Sequence, residues 1–309
     1  MKYAVTDVGA NTVKISLYNV ENGEAKHIVS QSTPVGLANY VKRGALSEEG
    51  IAELAGVISD YRRLGETVGT EGFYCIATAS LRNVSNGKYV VSQIKNKTGV
   101  SVTIIDGERE AELGFLGFSA ATRGVFKRFP DDGTFIDLGG GSTEFVSVRS
   151  GNDSSRTSLK FGALKLFNQF VSGIVPDKTE RNMISEFVSE ALRENLSREL
   201  YDGNTVYITG GTAKAIGKAI SDLTGKQRGN MACFSPLDFL LLYRTIDEEE
   251  TPYLHRLAAK IPDRIHMFLP GLCVFNEIFR YFDTVRIFTV YSGIRDGFMI
   301  DMIRKGIIC

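Results

Sequence analysis

Histidine, cysteine and net charge are scarce in this chain, and each shortage removes a class of function. Only three histidines occur among 309 residues, His27, His255 and His266, and none has a nucleophile and an acid beside it. A Ser/His/Asp hydrolase therefore has no support. The four cysteines, Cys75, Cys233, Cys273 and Cys309, are widely scattered, with neither a CxxC pair nor a zinc spacing, as expected of a reduced, cytoplasmic protein. Cys309 is the last residue and forms no CaaX tail. Lys plus Arg and Asp plus Glu both number 36, so the formal net charge is zero. That argues against a general nucleic-acid coat protein, which is normally basic. A local basic channel for a polyanion stays open, because acidic runs such as Asp247-Glu-Glu-Glu250 would hide it in the sum. No apolar run approaches a membrane span. The N-terminus enters a strand-like run at once, without the charged, apolar and small-residue series of a signal peptide. Neither a nucleic-acid nor a membrane partner is expected.

What is present is an ordinary globular composition, 43% apolar and 23% charged, in a chain long enough for two domains with a core each. Two stretches stand out because they repeat. Asp7-Val-Gly-Ala-Asn-Thr-Val-Lys14 and Asp137-Leu-Gly-Gly-Gly-Ser-Thr-Glu144 each set an acid, an apolar residue, glycines or small polar residues and a hydroxyl in series. Alternating, β-rich segments flank both, so each reads as strand, Gly-rich hairpin turn and returning strand. Such a turn offers backbone N–H groups without side-chain obstruction, which suits phosphate. In these turns Gly9, Asn11, Thr12, Gly139, Gly140, Gly141, Ser142 and Thr143 are the candidate phosphate-binding residues. Asp7, Asp137 and Glu144 would repel phosphate and are read instead as ligands of Mg²⁺ (or Mn²⁺), hard cations that take oxygen ligands and bridge to phosphate. The plain alternative is a pair of tight hairpins in which glycine only supplies positive φ. The matched pair favours two lobes about a phosphate-holding cleft.

Around these turns the elements alternate. Three strands, a helix after the N-cap candidate Ser47, the strand Phe73–Thr78, a helix near 86–98, the strand 100–105 and a helix from Glu108 to about Ala121 make a mixed α/β half. The second half repeats the theme, with a helix around 179–198, the strand 205–209, a helix from Ala213, a largely helical stretch from Pro236 to Phe282, the strand 285–290 and a closing helix. Pro130-Asp-Asp-Gly133 has the composition of an inter-domain turn. The expected domains are 1–128 and 129–309, with the closing helix 296–309 free to pack back on the first.

Three further segments carry chemistry or a plain structural role. Gly210-Gly211-Thr212 lies between a strand and a helix, where it forms either an anion site at a helix N-terminus or a simple βα turn. Asp106-Gly-Glu-Arg-Glu-Ala-Glu112 is either a solvated helix face favoured by the macrodipole or the source of a glutamate that polarises water. Arg82, after a buried strand, is either a surface residue or a phosphate clamp.

The order of the segments is more telling than any one of them. Asp7-Val-Gly-Ala-Asn-Thr, Ala77-Thr-Ala-Ser-Leu-Arg-Asn, Gly107-Glu-Arg-Glu-Ala, Asp137-Leu-Gly-Gly-Gly-Ser-Thr-Glu, Ser158-Leu-Lys-Phe-Gly-Ala, Gly210-Gly-Thr and Ser292-Gly-Ile-Arg-Asp-Gly297 follow one another. Over almost its whole length the chain resembles the exopolyphosphatase / guanosine pentaphosphate phosphohydrolase (Ppx/GppA) family of the actin-like phosphotransferase superfamily. The resemblance implies an α/β fold of two ribonuclease-H-like (actin-like ATPase) domains, mixed sheets flanked by helices, with an interdomain cleft. It also implies Mg²⁺-dependent release of terminal phosphate from polyphosphate or guanosine pentaphosphate. The family's catalytic glutamate falls on Glu110 and its arginine on Arg82. The second phosphate loop falls on Asp137, Gly139 to Gly141, Ser142 and Glu144. The length resembles the short, two-domain form.

Three departures stand against the family pattern. Ala10 replaces a serine, and losing a hydrogen bond to a charged group costs about 1.5–3 kcal/mol. Arg109-Glu110 replaces the frequent Glu-Glu pair, and the run from Glu110 to Asp137 is long. The expected reaction is attack of water on a phosphoanhydride with Glu110 as base. A kinase or ATPase of the same superfamily, and a non-catalytic polyphosphate or nucleotide sensor, are the rivals. Lys160, Lys165, Arg193 and Arg198 are candidates for a basic groove, which a homodimer would lengthen.

Overall fold

Two sequence stretches with the same alternation build two sheets of the same topology. The computed structural model describes residues 1–123, 131–226, 231–249 and 251–308. The boundary expected between 128 and 129, and Pro130 of the expected inter-domain turn, lie outside the described residues, as do Glu250 and Cys309. The chain divides into one unit of Met1–Gly117 with Ile294–Cys309 and another of Phe118–Gly293.

The first unit opens with β1 (Lys2–Val8), β2 (Thr12–Glu21) and β3 (Glu24–Pro34), then a 3-10 turn, a two-residue hairpin of β4 (Val41–Lys42) and β5 (Ala45–Leu46), and α1 (Glu48–Val68). It continues through β6 (Gly72–Ala77), α2 (Ala79–Arg82), α3 (Gly87–Thr98), β7 (Val102–Ile104) and α4 (Gly107–Arg123). Its sheet has the order β3-β2-β1-β6-β7, antiparallel across β1 to β3 and parallel from β1 to β7. The second unit holds β8 (Gly133–Leu138), β9 (Thr143–Arg149), β10 (Asn152–Leu159), α5 (Ala163–Phe170), α6 (Lys178–Asn195), β11 (Thr205–Thr209) and α7 (Gly211–Thr224). After these come β12 (Met231–Phe234), α8 (Pro236–Glu249), α9 (Thr251–Lys260), α10 (Ile265–Phe282) and β13 (Arg286–Val290). The sheet order β10-β9-β8-β11-β13 repeats that of the first unit, and β12 adds an antiparallel edge. Each unit thus has the ribonuclease-H-like arrangement of three antiparallel and two parallel strands. The last helix, α11 (Ile294–Arg304), belongs to the first unit.

Period-two alternation explains how the first sheet is covered. Ala4, Val8, Val13, Ile15 and Leu17 pack with Ile51, Leu54 and Ile58 of α1. Tyr3, Val5, Tyr18 and Val20, on the opposite face, pack with Met299 and Met302 of α11. Tyr18 also donates to Asp296 at 2.8 Å, which fixes the start of that helix. In the second sheet Phe118, in the last turns of α4, packs on Phe135 and Tyr207, with ring centroids 5.1 and 4.9 Å away. Two helices start at side-chain caps. The Ser47 side chain accepts from Gly50 N–H before α1, and Asp177 and Glu180 form a reciprocal capping box at α6. No helix among the described residues is long and apolar enough to cross a membrane.

Candidate active site

The two Asp-led turns close in the same way and differ in charge. In each, the glycine two residues after the aspartate closes the hairpin. Gly9 N–H donates to Thr12 O at 3.1 Å, and Gly139 N–H donates to Ser142 O at 3.0 Å. In register, Asp7 faces Lys14 and Asp137 faces Glu144. The first turn therefore sets a cation beside its aspartate, and the second a further carboxylate.

In the first turn, Val35 and Gly36 N–H donate to Asn11 O and Ala38 N–H donates to Ala10 O, which anchors the loop to the segment after β3. Asp7 Oδ1 is buried without a hydrogen-bond partner. Burial raises the pKa of Asp7 above the usual carboxylate value, against the lowering fields of Lys14 and Arg295. Thr12 is buried. Ser80 Oγ donates to Val8 O and ties α2 to the end of β1. The last residue of α2, Arg82, donates through Nη1 to Glu110 Oε2 at 2.8 Å and to Ile105 O at 3.0 Å. Glu110 lies in the first turn of α4, and its side chain is 12% exposed against 20% for Arg82. Both alternatives left open for these segments are thereby narrowed: the two side chains form a partly buried pair near the C-terminal ends of β6 and β7, where open α/β sheets bind ligands.

In the second turn, Ala163 N–H donates to Gly139 O and Lys165 N–H to Gly140 O, so the start of α5 buttresses the glycines. Ser142 is 3% exposed. Thr143, expected to bind phosphate, is instead fully buried, and its hydroxyl donates to Phe161 O at 2.7 Å, in the segment between β10 and α5. Glu144, 1% exposed, accepts from Ser158 Oγ at 2.9 Å. Gly210, at φ 100, lies against this turn: a Cβ there would run into Leu138 O and sit 3.0 Å from Asp137 Oδ1. Only glycine suits both the angle and the approach. Gly210 of the third segment thus joins Asp137. Thr212 is buried, with its methyl against Gly271 of α10.

Arg264 carries no sequence motif, yet its guanidinium packs against Gly211 at the start of α7. Its neighbour Asp263 is 3.4 Å away, and burial lowers its pKa from the usual arginine value. A cation beside a helix N-terminus is suited to an anion there. Only the tertiary fold brings it there. Of the basic-groove candidates, Lys165 Nζ donates to Lys160 O, and Arg198 pairs with Asp283. Arg193 lines a groove with Glu186, Glu190 and Glu277.

A divalent cation fits what is present. Among the described residues no group of three or more His, Cys, Asp or Glu is gathered around one point. Mg²⁺ needs no such cage, since it is usually held by one or two carboxylates together with water and substrate phosphate. Asp137 and Glu144, paired across one hairpin, supply that number, and the unsatisfied Asp7 oxygen is an acceptor of the same kind.

Two units with ribonuclease-H-like sheets and matched Asp-led turns define the class of fold. More narrowly, the chain belongs to the Ppx/GppA phosphatase family, whose profile matches residues 16–306. Exopolyphosphatase 1 of Mycobacterium tuberculosis is 26% identical over 196 residues, covering 63% of this chain and 56% of that protein. The guanosine-5'-triphosphate,3'-diphosphate pyrophosphatase of Photobacterium profundum is 27% identical over 169 residues, 54% of this chain and 33% of that protein. The chain spans about half the length of the curated relatives it matches. An exopolyphosphatase structure from Cytophaga hutchinsonii superposes with a TM-score of 0.87 at 20% identity, covering 99% of this chain and 98% of that one. That likeness establishes the fold.

Proposed function

We propose that this chain hydrolyses terminal phosphoanhydride bonds of inorganic polyphosphate or of guanosine pentaphosphate, releasing orthophosphate. The observation that carries the reading is the Arg82–Glu110 pair, a partly buried carboxylate held at 2.8 Å by a guanidinium. Glu110 accepts a proton from water as the water oxygen attacks the terminal phosphorus. The bridging P–O bond breaks, and the departing oxygen remains as the new end of the shortened substrate. Arg82 has a planar fork matched to phosphoryl oxygens and carries charge in the same step. Backbone N–H groups of the turns 9–12 and 139–142, with Ser142 and the start of α7, bind phosphate oxygens. Asp137 and Glu144 would hold Mg²⁺, which would supply positive charge against the phosphate, and Asp7 is the corresponding candidate ligand of the first turn.

Family membership supports hydrolysis over phosphoryl transfer to an acceptor. The test is phosphate release by Glu110→Gln on long-chain polyphosphate with Mg²⁺. A loss of about 10²–10⁴-fold in rate is expected, with unchanged melting. Full activity in a folded variant removes Glu110 from the reaction, and stoichiometric transfer to a sugar or acid would favour the kinase instead.

A further inference from the structure

Arg109 precedes Glu110 in the chain and has no part in the reaction above, yet it is one of the most engaged side chains of the first unit. Its Nη1 donates to Glu112 and its Nη2 to Asp301 of α11. Asp301 is 7% exposed and also takes Lys305 Nζ at 3.0 Å. Burial opposes the charge of Arg109, and the carboxylates of Glu112 and Asp301 outweigh it, raising its pKa further above the usual value.

The pair is one end of a longer contact. Arg109, Leu113 and Gly117 recur at i, i+4 and i+8 along one stripe of α4, and Gly297 and Asp301 are i, i+4 on α11. The stripes meet with the helices antiparallel. Gly297 backs onto Leu113, so that a Cβ on it would collide with Leu113 O and come within 3.0 Å of Gly117 N. Ile76, Ile105, Leu113 and Ile294 fill the space beside this crossing. Within the first turn of α4, Asp106 Oδ1 accepts Arg109 N–H at 2.7 Å and Asp106 O accepts Glu110 N–H at 3.0 Å. The turn that presents Glu110 is therefore capped from below by Asp106 and strapped sideways through Arg109.

We infer that Arg109 and Asp301 form a positioning pair: with the close crossing at Gly297 they lock the first turn of α4 to α11 and fix the direction in which Glu110 meets water. Arg109 touches no substrate, because its guanidinium is committed to two carboxylates. The inference rests on the hydrolase reading for its catalytic consequence, and the local order of α4 tests the pair independently.

The experiment uses the full chain, with steady-state hydrolysis of polyphosphate in Mg²⁺ and amide hydrogen exchange on the same samples. Arg109→Gln and Asp301→Asn are expected to lower kcat tenfold or more while KM stays within twofold. Exchange at residues 108–112 should quicken at least tenfold, with β1 unchanged. Arg109→Lys should keep kcat within threefold, and the exchange of charges in Arg109→Asp/Asp301→Arg should recover most of the loss. If Arg109→Gln does not fold, the charge-exchanged pair carries the same test. A raised KM at constant kcat would mean that Arg109 meets substrate and overturns the proposal, as would unchanged kcat and exchange. If the wild-type chain releases no phosphate from any substrate, the hydrolase reading falls alone. Unaltered exchange in the variants then overturns the pair.

Discussion

Arg82 and Glu110 answer each other before any substrate arrives, and this sets how the pair can work. A guanidinium 2.8 Å from the Glu110 carboxylate holds it in one direction. In the reaction proposed above, an incoming phosphoryl group would compete for Arg82 and turn Glu110 free to meet water. Opposite the two loop aspartates stand a cation in the first turn, Lys14, and a carboxylate in the second, Glu144. Glu144→Gln keeps the size and the Ser158 contact but removes one charge. It should raise the Mg²⁺ concentration for half-maximal activity about tenfold or more, measured by metal titration of phosphate release. An unchanged requirement would remove Glu144 from the metal site.

At the scale of elements, the long periodic segments were legible and the short ones were not. Ser47 announces α1, and the Asp-led turns announce their hairpins, because each signal is local. The β4–β5 hairpin, the four-residue edge β12 and the one-turn helix α2 have too few residues to show a period. Helix α5 is short as well, and its start is held by the carbonyls of Gly139 and Gly140. Of the candidate site, the glycine turns, Arg82 and Glu110 were visible in sequence, whereas Arg264 was not, since α7 and α10 meet only in the fold. The capping box at α6 gives a local test of element stability. Asp177→Ala removes the acceptor for Glu180 N–H and one side of a reciprocal pair, so a loss of about 1 kcal/mol is expected in chemical denaturation.

For the molecule as a whole, one histidine gives stability a pH dependence of known sign. His266 sits half-buried with its ring edge-on to Phe167 at 5.2 Å. Burial lowers its pKa from 6.5, opposed by Asp263 and aided by Arg264. As pH falls below about 6.5 the unfolded chain takes up a proton that the folded chain refuses, so stability declines towards the lower folded value. The melting temperature should drop between pH 7 and 5, and His266→Gln should flatten that part of the curve. An identical slope in the variant assigns the acid sensitivity to other groups.

The return of α11 to the first unit has a consequence in time as well as in space. The face of β1 and β2 that carries Tyr3, Val5, Tyr18 and Val20 is covered by Met299 and Met302, which leave the ribosome almost three hundred residues later. The second unit is continuous in sequence and can close while synthesis proceeds. The first must wait, its inner face uncovered, until the ribosome has delivered α11. The strand that bears Asp7 is thus made before the second unit and sealed after it.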